Sequence, residues 1–489
     1  MIRDALQKRK DDSSPALFGR RTPVSYKELA LRTEKIQTAF PDTKGHPIAA
    51  VFLSDEADFI TSLFAAFQAG WTAFPLNDRL SSAEISDLLC DVPVKLILTR
   101  GELYHRCHSA VSNFNDAPQI VNIDSLSEYS KELTEIIKTD ADAPMLLLAS
   151  SGTTGRVKLV QLSENNVVFS VNAYLEHMGY EKYQEYEPRY ALGTPIFGIY
   201  GLLILFSCIV RGFPMLPMSN NFTLDTLYRA AQEYSISHYD GGTLAAVLME
   251  QTLERSIPYD ISSLKYFGFG GSKAPEGTLE RLSKAFSGIR FWSGYGMTEA
   301  SPLIAQPFQN LPFDKLDSVG LPLPGVKVLL ETDEGITNKP YINGEIIVQG
   351  PNVMLGYYNN EDATEEILRN GWLHTGDIGY FDDDGYLFIC GRKKNMILVR
   401  GFNVFPEEIE TRMLGSALIK ECLVYCETDD PGTETVCAEV VPANSEVTLK
   451  MVYKWCAENL ADYKRPKIIR LTKALKKTST GKNKRGQEV

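Results

Sequence analysis

Through the first two thirds of the chain, short unbroken apolar runs alternate with segments whose apolar positions recur every three or four residues. "IAAVFLS" (48–54) precedes "ADFITSLFAAFQAG" (57–70), then comes "TAFPL" (72–76), and "VKLILT" (94–99) and "PMLLLAS" (144–150) follow. The runs read as buried strands and the periodic segments as helices. Strands without polar alternation need cover on both faces, so the pattern predicts layered α/β structure with parallel pairing. After about residue 320 the texture changes. "VKVLLE", "GEIIVQG", "DIGYFDDDGYLFICGR" and "NMILVRG" are strand-like and turn-rich, which predicts antiparallel β structure. The last hundred residues add a strand at 395–399, a short helix from Pro406, strands near "CLVYC" and "TVCAEVV", and the amphipathic helix "LKMVYKWCAENLA". This is enough for a small α+β domain, so the expected division is 1–391 and 392–489, at Gly391 and Arg392.

Composition narrows the picture. A chain of 489 residues exceeds what one core ordinarily organises, and 44% hydrophobic with 23% charged residues is a globular balance. A formal charge of -12 argues against nonspecific binding to nucleic acid or an anionic membrane face. The longest apolar run, "GIYGLLILFSCIV", is shorter than the roughly 20 residues that span a bilayer and reads as a buried helix. The charged N-terminus lacks the apolar core of a signal peptide, and the eight cysteines show no CxxC pair. A cytoplasmic location is therefore expected, without zinc or disulfides. "FDDDGYLF" lacks the ligand spacing of a calcium loop and reads as a hairpin turn at Asp384 and Gly385.

The candidate chemistry begins at "ASSGTTGRVKLVQLS", 149–163. Its small and hydroxylated residues suit a phosphate-holding loop, yet Lys158 stands between Val157 and Leu159, not in the Gly-Lys-Ser/Thr setting of a Walker A loop. Ser163 is placed to cap the following helix. By these residues alone a phosphate loop and an ordinary polar turn are equally good readings. "FGFGGSKAP" (267–275) fails as a dinucleotide fingerprint, because Lys273 occupies the third glycine position.

Other segments decide the matter. "SSGTTGRVK" resembles the most diagnostic motif of the adenylate-forming superfamily: acyl-CoA and aryl-CoA synthetases, peptide-synthetase adenylation domains and firefly-type luciferases. "GYGMTEAS" (294–301), "GEIIVQGPNVMLGYY" (344–358), "WLHTGD" (372–377), "GRKKNMILVRGFNVFPEEIE" (391–410) and "TSTGKNKR" (478–485) follow in the family's order across nearly the whole chain. The resemblance implies a large N-terminal domain of several subdomains, with layered α/β sheets and a β-rich part. A small mobile α+β domain follows it, and the active site lies between the two.

It also implies roles. Ser151, Gly152, Thr153, Thr154, Gly155 and Lys158 would surround phosphates, and Gly270, Gly271 and Ser272 would lie beside the nucleotide. Tyr295 and Gly296 would meet adenine, Thr298 the α-phosphate, and Glu299 a Mg²⁺ ion. Asp377 would accept from the ribose hydroxyls, with Arg392 nearby. Lys482 holds the adenylation-lysine position, where an ammonium on a flexible stem can touch carboxylate and α-phosphate together. Lys394 stands at the hinge position, and Gly401 in the loop that would admit a pantetheine arm.

For the acid, Phe197, Gly198, Ile199, Tyr239, Gly241 and Gly242 are the expected pocket wall. Gly198 replaces the usual gate, and Ile199 replaces the acidic residue that amino-acid-activating relatives use, which disfavours an α-amino acid. The implied function is an ATP-dependent acid–thiol ligase acting on an apolar fatty or aryl acid, with ATP, Mg²⁺ and CoA. The alternative loads an acyl or aryl acid onto the phosphopantetheine of a separate carrier protein, since no room follows Lys482 for a fused one. A nonenzymatic acyl-nucleotide sensor would be expected to lack Lys482 or Glu299, and both are present. A luciferase-like monooxygenase shares only the first step. No nucleic-acid partner or transmembrane segment is expected.

Overall fold

The computed structural model describes residues 2–19, 22–43, 45–128, 136–150, 157–179, 187–219, 222–271, 273–307, 311–399, 402–430 and 433–476. Two seven-stranded sheets dominate. In space, the first runs Arg290–Ser293, Tyr266–Gly270, His238–Gly242, Tyr190–Leu192, Met215–Pro217, Pro15–Leu17 and Val24–Ser25. The second runs Gly356–Tyr357, Lys158–Ser163, Pro144–Ser150, Thr72–Pro75, Ile48–Val51, Val94–Thr99 and Gln119–Asn122. Interior pairs are parallel, as the apolar runs predict. Antiparallel pairs occur at the edges, where Val24–Ser25, Lys158–Ser163 and Gly356–Tyr357 turn back on their neighbours.

Alternate residues of each strand enter different cores, which is how a continuous apolar run is used. Ala49 and Val51 join the central core, whereas Ile48 and Ala50 join an outer one with helices Ser82–Leu89 and Gly101–Val111. In the first sheet, Tyr190 and Leu192 face the central core, and Ala191 faces a second outer core with Tyr239, Phe267 and Phe291. The central core takes side chains from both sheets and from helices Glu56–Gln68 and Ile199–Arg211, whose Phe64 and Phe206 rings meet edge to face at 6.0 Å. The longest apolar run is therefore an interior helix. Among the described residues, no helix is long and apolar enough to cross a membrane.

Apart from Gly356–Tyr357, the strands from Lys327 to Arg392 form an antiparallel sheet, and Gly385 (φ +82°) turns its Trp372–Phe381/Leu387–Arg392 hairpin. Asp382 accepts from the backbone N–H groups of Asp384 and Tyr386 and pairs with Lys315, so this acidic turn is satisfied internally. A separate small core follows. It is built from helices Pro406–Leu414 and Leu449–Asn459 on the pair Ile419–Asp430/Thr433–Pro442, which Ile468–Leu471 extends in parallel.

Candidate active site

The next described element after the strand Pro144–Ser150 is not the helix of a Walker A unit but the antiparallel strand Lys158–Ser163, with Ser150 opposite Lys158. Lys158 thus belongs to a strand, and Ser163 caps helix Glu164–Met178 by accepting from the Asn166 N–H. Its ammonium lies 4.9 Å from the Tyr357 ring centroid and 3.9 Å from Glu366. Antiparallel pairing of Tyr357 with Val160 makes the first contact possible.

Lys158 opens onto a cavity of about 750 Å³ beyond the carboxyl ends of the first sheet's strands, where open α/β sheets place their ligands. Gly241, Gly242, Gly270, Gly271 and Gly294 line it, together with Met297, Thr298 and Glu299. Gly376 and Arg392 of the β-rich sheet, with Lys393 and Lys394 just after it, also line the cavity. Gly271 has φ +91°, and a Cβ on Gly296 would lie 1.9 Å from the Pro302 carbonyl oxygen, so glycine is required at both.

Glu299 is 6% exposed, and its Oε1 accepts from the Tyr357 hydroxyl at 2.8 Å. Among the described residues no cation pairs with it. A fixed, buried carboxylate lining the same cavity as the Thr298 side chain offers hard oxygen donors suited to Mg²⁺. Tyr357 was not anticipated from sequence; its segment, "MLGYY", was recognised only as a block.

Asp377 is buried, with Oδ2 accepting from the Tyr295 hydroxyl at 2.7 Å and Oδ1 paired with Arg392 Nε at 2.6 Å. Burial pushes its carboxyl upward, and the bonds from Arg392 and Tyr295 oppose the shift. The structure thus joins three residues that sequence placed 82 and 15 positions apart. A carboxylate has about four lone-pair sites, so two incoming hydroxyls can still be accepted. Tyr295 sits buried between cavity-lining Gly294 and Gly296.

At the rim, Glu331, Glu345 and His374 bring ligand atoms within 4.8 Å of one another. Cations already serve this cluster: Lys393 Nζ is 2.7 Å from Glu345, and Arg369 donates to His374 Nδ1 at 2.6 Å. Burial and the Arg369 charge hold the His374 pKa down, so the imidazole is neutral at pH 7.

The acyl-wall residues divide. Ile199, Gly241 and Gly242 line the cavity, Phe197 packs partly buried against the central core, and Gly198 caps helix Ile199–Arg211. Tyr239 lies in the outer core, its ring tilted 33° against Phe267 at 4.5 Å, with its hydroxyl where a Gly241 side chain would start. Period-two alternation turns it away and turns Asp240 toward the pocket side, where the cavity-lining Tyr200 donates to it. Ser151, Gly152, Thr153, Thr154, Gly155, Ser272, Gly401 and Lys482 lie outside the described residues.

This fold and cavity define an adenylate-forming enzyme. The AMP-binding enzyme family model matches residues 3–358 and the AMP-binding enzyme C-terminal domain matches 408–482; the chain belongs to this family, as an AMP-forming acid–thiol ligase making carbon–sulfur bonds. Among its relatives is the 2-succinylbenzoate–CoA ligase of Bacillus subtilis, 29% identical over 95% of this chain and 92% of the relative. That of Bacillus cereus is 31% identical over 86% and 83%. The solved O-succinylbenzoate coenzyme A synthetase of Bacillus subtilis with AMP superimposes with a TM-score of 0.86 at 27% identity, covering 98% of this chain and 96% of that one.

Proposed function

We propose that this enzyme activates an apolar fatty or aryl carboxylic acid with ATP and transfers it to the thiol of coenzyme A. The observation that carries the reading is one cavity holding Lys158, Thr298 and Glu299 between the Asp377–Arg392 pair and the apolar, glycine-rich wall of Ile199, Gly241 and Gly242. The two domains, 1–391 and 392–489, would meet across it, with Lys394 as hinge. The relatives being CoA ligases supports CoA over a carrier protein as acceptor. No observation favours the carrier-loading or sensor readings.

In the first half-reaction a carboxylate oxygen bonds to the α-phosphorus and the bond to the departing pyrophosphate breaks. Negative charge grows on phosphate oxygens, which Lys158 and the Thr298 hydroxyl are positioned to stabilise, together with Lys482 from beyond the described residues. Mg²⁺, when held by Glu299, supplies further charge neutralisation. Asp377 and Arg392 orient the ribose. In the second half-reaction the thiolate attacks the acyl carbonyl and AMP leaves, the thiol proton passing to solvent.

The test is acid-dependent exchange of labelled pyrophosphate into ATP, followed by thioester formation with CoA, across fatty and aryl acids. Lys482→Ala should abolish exchange while thioester formation from supplied acyl-adenylate persists. No exchange with any acid, or equal loss in both assays, would contradict the assignment.

A further inference from the structure

Helix Ile199–Arg211 enters at the cavity, and its second residue, Tyr200, both lines the cavity and donates to Asp240 Oδ1 at 2.7 Å. Asp240 is 1% exposed and lies two residues before the cavity-lining Gly242, on the same face of its strand and therefore about 7 Å beneath the floor. Its other oxygen is 3.5 Å from the Tyr174 hydroxyl, itself 3.5 Å from that of Tyr190. Room for the carboxylate depends on Gly268, where a Cβ would lie 2.4 Å from Asp240 Oδ1 and 2.3 Å from the Trp292 ring. Among the described residues, the Trp292 Nε1–H, in the same buried cluster, has no hydrogen-bond partner. An apolar residue at 240 would avoid the cost of burying a carboxylate, so the polar cluster needs a reason.

Hydrogen-bond valence supplies one. A phenol has a single donor, and that of Tyr200 is committed to Asp240. Toward a ligand the phenol oxygen can therefore only accept. The carboxylate behind it makes that oxygen more electron-rich and repels a second anion.

Resting on the ligase reading above, we infer that Tyr200, set by Asp240, selects acids whose acyl group carries a hydrogen-bond donor, such as a hydroxyl or amino substituent, at its distal end. Acids that offer only acceptors there, including a second carboxylate, are disfavoured. This differs from what 2-succinylbenzoate, the substrate in its relatives' names, would present. A site built around one hydrogen bond discriminates strongly against analogues that cannot complete it.

The experiment compares kcat/KM for pyrophosphate exchange on benzoate and phenylpropanoate scaffolds. Each scaffold bears hydrogen, hydroxyl, amino, methoxy or carboxylate at matched positions, and 2-succinylbenzoate is included. The assay runs at pH 8.5, above the value of about 7 to which burial raises Asp240 against the pull of Tyr200 and Tyr174. On the best scaffold the donor-bearing acid should exceed its methoxy and carboxylate partners by about tenfold or more. Tyr200→Phe should bring that ratio close to one. Asp240→Asn, whose amide can donate to the phenol and turn its O–H toward the cavity, should shift preference toward the methoxy acid. A wild-type enzyme that treats all substituents alike or prefers the dicarboxylate, or a Tyr200→Phe enzyme that keeps the preference, overturns the inference while the ligase reading stands. Exchange with none of the acids would remove both.

Discussion

Replacing Tyr357 by Phe removes one atom and tests whether Glu299 is oriented by its neighbour. Tyr357 donates to Glu299 at 2.8 Å, and both side chains are largely buried where they line the cavity. A hydrogen bond to a charged group contributes about 1.5–3 kcal/mol, and each 1.4 kcal/mol is tenfold in affinity. The Phe ring still faces the Lys158 ammonium, which sits 4.9 Å from the Tyr357 centroid, so that contact survives and the loss falls near the lower limit. We expect about a tenfold higher Mg²⁺ requirement in pyrophosphate exchange, together with about tenfold weaker MgATP binding by calorimetry. Tyr357→Leu, which also removes the aromatic face under Lys158, should cost more. If Tyr357 acts through Glu299, Tyr357→Phe adds little in a Glu299→Gln background. Independent sites add to within about 0.3–0.5 kcal/mol, so simple additivity in the double variant would refute the positioning role.

Further outcomes follow from the buried groups. Asp240 titrates near 7 when folded and near 4 when unfolded, so the folded state holds a proton that the unfolded state releases, and stability declines as pH rises through that window. Asp240→Asn should flatten this decline in urea titrations at pH 4–8, a difference on the order of 1–4 kcal/mol; parallel curves would refute it. Arg392→Ala deprives Asp377 of the cation opposing its burial-raised pKa. The acidic limb of kcat/KM for ATP should then move to higher pH, and Arg392→Lys should partly restore it. Gly241→Ala places a Cβ 2.1 Å from the Tyr239 hydroxyl and should destabilise by about 1–3 kcal/mol in thermal unfolding. A smaller cost in a Tyr239→Leu background is expected, because the obstruction is then gone.

The sequence by itself determined what depends on local pattern and on the order of motifs. Apolar runs without alternation require sheets covered on both faces, and Ala49 and Ile48 do enter different cores. Turn-rich alternation after residue 320 became antiparallel sheet, and the Ser163 cap followed from a serine ahead of a helical period. The motif blocks were legible because each is contiguous, and they carried the family. Tertiary structure alone decided which residues meet across blocks. Tyr357 reaches Glu299 and Tyr295 reaches Asp377 through side-chain hydrogen bonds between segments far apart in the chain, while Arg392 meets Asp377 across a hairpin. The acyl wall was least legible. Whether position 239 or 240 faces the pocket turns on one residue of strand phase, and "HYDGG" is too short and too uniformly buried for polarity to reveal it.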